Sequence, residues 1–149
     1  MNQEQKDNAG ERDSAILFKT LAEARERLFD LMRLLWGYDQ VKTSSSFCDL
    51  RSGKDCFTEA PVWSFEVYVE ADLVNGKNIC WWLDLSYNSS IWVVGANVSV
   101  TQGDTLINFS DRSSGEVLKV CEDVKAAVQH LLVTVERVPR LGQKKATAR

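Results

Sequence analysis

Hydrophobic positions along this 149-residue chain recur with two different periods. Over the stretch SAILFKTLAEARERLFDLMRLLWG, Ile16/Leu17, Leu21, Ala24, Leu28, Leu31/Met32 and Leu35 return every three or four residues. That spacing lines one face of a helix. Asp13 or Ser14 can cap its first turn, and Gly37 can end it in the left-handed conformation. Lys19, Glu23, Arg27 and Arg33 fall on the wet side, with Glu23 and Arg27 spaced for an ion pair.

From Trp63 onward the period drops to two, the signature of strands. Trp63, Phe65, Val67, Val69, Ala71 and Leu73 alternate with Ser64, Glu66, Tyr68, Glu70 and Asp72. Ile79, Trp81, Leu83, Leu85 and Tyr87 alternate with Cys80, Trp82, Asp84 and Ser86. Trp92, Val94, Ala96, Val98 and Val100 alternate with Val93, Gly95, Asn97 and Ser99. A shorter run sets Thr105, Ile107 and Phe109 against Leu106, Asn108 and Ser110.

Directly paired residues of an antiparallel ladder share a face, so these patterns predict register. A two-residue turn at Asn75-Gly76 would pair apolar with polar faces throughout. A three-residue loop, Val74-Asn75-Gly76, with Gly76 left-handed pairs Val69 with Trp81 and Val67 with Leu83. Turning a large apolar side chain to the wrong face costs ~1.5–3 kcal/mol each, so the three-residue loop is expected. Two-residue connections at Ser89-Ser90 and Gln102-Gly103 then bring Tyr87 opposite Trp92, Val98 opposite Ile107 and Val100 opposite Thr105.

A second helix is expected after the strands. Ser113 and Glu116 have capping-box spacing, and Val117/Leu118, Cys121, Val124, Val128, Leu131/Leu132 and Val135 form one stripe before Pro139. The fold class is therefore α+β, a two-layer sandwich. A four-stranded antiparallel meander carries one N-terminal and one C-terminal helix on one face, in the order α-β-β-β-β-α. Residues 1–12 are expected to be disordered, 13–136 to form the single domain, and 137–149 to be a basic flexible tail. Residues 37–61 read as a long polar loop in which Val41, Thr43, Ser45 and Phe47 alternate weakly, enough for an edge strand. The turn signal RSGKD can bring Cys48 and Cys56 together.

Charge refines the picture. The net charge is −3, and the five basic residues after Glu136 leave an acidic body. Such a body repels phosphates, which argues against nucleic acid and anionic membranes as partners. No apolar run is long enough to span a bilayer, and the first residues lack a signal core, so a cytoplasmic location is expected. Four cysteines without C-x-x-C spacing and a lone His130 suggest free thiols, no metal and no cofactor. The sequons at Asn88, Asn97 and Asn108 read as hydrogen-bonding residues.

The predicted register puts Trp81 in the core and Trp82 on the far face. There Trp82 lies beside Tyr68 and Asn97, with Glu66, Glu70 and Asp84 around it. Gly95, opposite Asp84, leaves a bare spot. Aromatic anchors in a charged rim are the makeup of protein-binding surfaces. Glu66 and Asp84 form a cross-strand carboxylate pair, but no pocket in the sequence encloses it, and no P-loop or H-E-x-x-H motif is present. In size and charge alone the chain resembles small acidic bacterial proteins that neutralise or escort a partner, such as toxin-immunity proteins and secretion chaperones. The expectation is a non-catalytic module for a basic protein partner, with a second copy of the chain as another candidate partner. The rival is a small-molecule binder or enzyme, with a site between helices and sheet near Trp36, Trp63, Tyr87 and Trp92.

Overall fold

The computed structural model describes residues 3–54, 56–57, 61–88, 91–101, 104–114 and 116–143. Their order is α1 (Gln3–Leu35), β1 (Val41–Lys54), β2 (Pro61–Leu73), β3 (Asn78–Asn88), β4 (Ile91–Val100), β5 (Asp104–Ser114) and α2 (Val117–Val133). A 3₁₀ turn (Thr134–Arg137) and a short α3 (Val138–Leu141) follow. The sheet is an antiparallel meander in the order β1-β2-β3-β4-β5. The α+β plan with helices at both ends of the chain is as expected; the strand number is five rather than four.

The additional strand is β1. It runs through the segment expected to be mostly loop and pairs along its length with β2, from Val41 opposite Leu73 to Lys54 opposite Pro61. Its Arg51-Ser52-Gly53-Lys54 part is strand, not turn. Cys48 lies within β1 and Cys56 in a turn beyond its end, and all four cysteines are free thiols.

The middle of the sheet has the expected register. Val69 faces Trp81, Val67 faces Leu83, Tyr87 faces Trp92 and Leu85 faces Val94. Gly76 takes φ +89, the left-handed conformation that its missing Cβ permits. Ser89, Ser90, Gln102 and Gly103 lie outside the described residues. The last pairing departs from expectation by one residue. Val98 faces Ile107, but Ser99 faces Thr105 and Val100 faces Asp104, so Leu106 forms a bulge. The bulge lets Leu106 pack against the core together with Ile107 and Phe109, which strict alternation would forbid.

Both helices cover one sheet face, α1 over β1 and β2 and α2 over β3 to β5. The core is built from Leu17, Leu21, Leu28, Leu31 and Leu35 of α1, the odd-numbered apolar positions of β2 and β3, and the even-numbered ones of β4. Val120, Cys121, Val124, Ala127, Val128 and Leu131 of α2 complete it. Trp81 is 1% exposed, and its Nε1–H donates to Thr134 Oγ1 at 2.7 Å. Trp82, its neighbour, is 43% exposed on the opposite face.

Helix ends differ from the sequence pattern. α1 starts at Gln3 and takes in the stretch expected to be disordered. No proline interrupts that stretch, and its Gln, Glu, Lys and Ala residues are good helix formers. Gly37 is not left-handed, since Gly76 is the glycine with positive φ among the described residues. Ser113 belongs to β5, and Glu116 occupies the N-cap of α2 without a side-chain cap. Arg27 donates to Gln129 Oε1 of α2 at 3.0 Å rather than pairing with Glu23. The expected tail is docked as far as Gln143. Val138 is buried, and Asn75 Nδ2 donates to the carbonyls of Leu141 at 2.7 Å and Gln143 at 3.0 Å. Residues 144–149 lie outside the described residues.

Candidate functional site

The helix-free face of the sheet is organised in cross-strand rows. One row runs Phe47–Tyr68–Trp82–Asn97–Asn108, and the next runs Asp49–Glu66–Asp84–Gly95–Ser110. A third runs Ser45–Glu70–Cys80–Ser99–Thr105. All six residues expected at the site, Glu66, Tyr68, Glu70, Trp82, Asp84 and Asn97, thus share one surface. Phe47 and Asp49 join them from β1, which is the edge strand that weak alternation allowed but runs on to Lys54.

These residues divide into two zones. The first is tied up internally. Asn78 Nδ2 donates to Glu70 Oε1 at 2.6 Å and to Asp72 Oδ1 at 2.7 Å. The Tyr68 hydroxyl donates to Glu70 Oε2 at 3.0 Å and lies 3.0 Å from Cys80 Sγ, which is 3.1 Å from Asn78 Oδ1. Thr43 Oγ1 donates to Asp72 Oδ2 at 3.1 Å. Hydrogen bonds from Asn78 and Thr43 hold the Asp72 carboxyl below its ordinary range. Burial, then Cys80 and Glu70, push the Tyr68 hydroxyl well above its own. Burial likewise raises the Cys80 thiol, which stays protonated at neutral pH and is a weak nucleophile. Glu70 and the Tyr68 hydroxyl are therefore held by neighbours within the sheet.

The second zone is open. Neither Glu66 nor Asp84 has a hydrogen-bond or ion-pair partner among the described residues, whereas Asp49 pairs with Arg51. Asp84 forms one wall of a groove of about 210 Å³, lined also by Trp82, Gly95, Asn97, Asn108 and Ser110. Gly95 makes the groove. Its φ is not positive, and a Cβ built there would lie 3.8 Å from both Asp84 Oδ2 and the Phe109 carbonyl, an ordinary contact. Neither backbone conformation nor crowding requires glycine at this position; what it supplies is space.

Burial, followed by repulsion from Glu66, raises the Asp84 carboxyl above its ordinary 3.8. The folded state therefore holds the Asp84 proton more tightly than the unfolded chain. Stability falls as pH rises from 3.8 through the raised value, and the full cost is present at neutral pH. Asp84→Asn is expected to be more stable than the native protein at pH 7, with the gain vanishing below about pH 3.8. Urea midpoints at pH 7 and pH 3 would check this.

The rival site does not assemble. Trp63, Tyr87 and Trp92 pack ring on ring, with centroids 4.6–6.4 Å apart. Trp36 lies at the other end of the sheet, exposed, with its Nε1–H on Ser44 Oγ at 2.7 Å. An open hollow of about 410 Å³ beside Trp63 is lined by β1 and β2 residues, Cys56 and Asn88, with no helix residue, so it is not a cavity between layers. Among the described residues no cluster of His, Cys, Asp and Glu could hold a metal ion, and no helix is long and apolar enough to cross a membrane. His130 is exposed on α2, its ring 5.3 Å from that of Phe109.

Comparison with protein-family models, curated proteins and solved structures finds no match.

Proposed function

We propose that this protein is a non-catalytic binding module that takes a basic protein partner on the helix-free face of its sheet. The observation that carries this reading is the pairing of a half-exposed Trp82 with two carboxylates, Glu66 and Asp84, that have no partner among the described residues, on the face of the sheet opposite the helices. An unpaired, half-buried carboxylate beside a second one is unfavourable in the free protein. A cation from a partner relieves that repulsion, so the face gains on binding what it lacks alone. The aromatic row supplies apolar contact area at its centre. Acidic steering would speed the encounter and make it salt-sensitive. Neutralising or escorting a basic protein is the use such a face serves, in a cytoplasmic setting.

Titrating the ¹⁵N-labelled protein with pentalysine tests this reading. Amide shifts are expected at Glu66, Trp82, Asp84 and Gly95, and they should fade as salt is raised. Shifts confined to α1 and α2, or no salt-sensitive shifts at all, would contradict it.

A further inference from the structure

We infer that the groove beside Gly95 is an arginine socket, the point at which the basic partner inserts one guanidinium. This rests on the outer-face reading and adds the chemistry of the anchor. The groove, at about 210 Å³, is smaller than the roughly 300–1,000 Å³ sites that take drug-sized ligands. It suits one long side chain. Its walls supply what a guanidinium needs. Trp82, 43% exposed, offers an indole surface for stacking. Asp84 is two residues away on the same strand, roughly 7 Å along it, and presents an unpaired carboxylate. Glu66, its cross-strand neighbour, adds a second negative charge. Asn97, Asn108 and Ser110 contribute neutral oxygens that can accept the remaining N–H groups.

Arginine fits this set better than lysine. Its planar fork stacks on an aromatic ring while donating in the ring plane to a carboxylate, and it sheds water more readily than an ammonium. Lysine is a compact, strongly hydrated charge that would satisfy the carboxylates but stack less well on the indole and reach fewer of the acceptors. Gly95 is the specificity element. Any side chain at that position occupies the floor of the groove, against Asp84 Oδ2, while the Glu66 and Asp84 charges are kept.

The test compares three pentapeptides by calorimetric titration at low salt: Lys-Lys-Arg-Lys-Lys, pentalysine, and the same sequence with citrulline at the centre. The first two carry equal charge, and citrulline keeps the shape of arginine without its charge. The arginine peptide is expected to bind about fivefold to thirtyfold more tightly than pentalysine. The citrulline peptide should bind more weakly than either. Gly95→Val should bring the ratio of arginine-peptide to pentalysine affinity down to about one. Gly95→Ala, which the built Cβ accommodates, should reduce it in part and guards against a folding defect in the valine variant. Equal binding of the arginine and lysine peptides, or a preference that persists in Gly95→Val, would overturn the socket and leave the acidic-face reading standing. Absence of salt-sensitive binding by either cationic peptide would overturn both.

Discussion

Trp81→Ala is expected to cost about 3–5 kcal/mol of stability, whereas Trp82→Ala should cost about 1 kcal/mol or less. The two residues are adjacent and chemically identical, so the difference measures only which face each takes. Trp81 is 1% exposed and hydrogen-bonded to Thr134, where β3 meets the C-terminal end of α2. Its removal leaves a large cavity between layers that cannot collapse without moving α2. Against the ~5–15 kcal/mol that holds a typical domain together, that loss is a large fraction. Trp82 stands on the sheet with solvent above it, and truncation there creates no cavity. Urea unfolding would show both effects as shifts in midpoint at similar slope. Equal costs at the two positions would mean that the sheet is not covered on one side only.

The second large effect is on binding. Glu66→Lys combined with Asp84→Lys should weaken a cationic partner by about a hundredfold or more, because like charges brought together at an interface cost several kcal/mol. The same double variant should fold about as well as the native protein, since it exchanges one like-charged cross-strand pair for another. Glu70→Lys is a contrasting control. Its carboxylate is held by Tyr68 and Asn78, so its loss should disturb the local network more than the partner. Surface plasmon resonance at two salt concentrations would separate these cases. Equal losses from reversal at Glu66 and Asp84 and from reversal at Glu70 would show that the face acts through diffuse charge alone.

Much of this architecture is legible in the sequence, and the reasons are local. In β2, β3 and β4 every second residue is apolar and most of the others are polar or small, Trp82 and Val93 being exceptions, so one register buries the apolar set together. That is why Val69–Trp81 and Leu85–Val94 follow from pattern alone. β1 is different because it lies at the edge under thin helix cover. Ser44, Ser46 and Cys48 sit on its inner side, and Leu50 there is more than half exposed, so the two faces carry no contrast. Pairing with β2 holds it in place, and pairing leaves no signature in composition. The Leu106 bulge was hidden for a related reason: strict alternation cannot represent a strand that turns two consecutive residues inward. The α3 turn reads as tail because its anchor, Asn75, lies far away in the sequence.

That Tyr68, Trp82 and Asn97 share one face was legible through register, since they align once the loops are set. Its division into a braced zone and an open zone was not. That depends on Asn78 reaching both Glu70 and Asp72, a matter of side-chain geometry that spacing does not encode. Glu70 and Asp84 look equivalent in the sequence; one is satisfied and the other is not.

Site-specific photo-crosslinking in the native host would show which face of the protein meets its partner. A benzophenone side chain would replace Trp82 on the helix-free face and, separately, Ala126 on the exposed side of α2. One dominant basic protein is expected to be joined at position 82, not at 126, and lost when Asp84 is also changed to lysine. Crosslinks that form from α2 and not from the sheet, or an acidic protein captured at position 82, would contradict it.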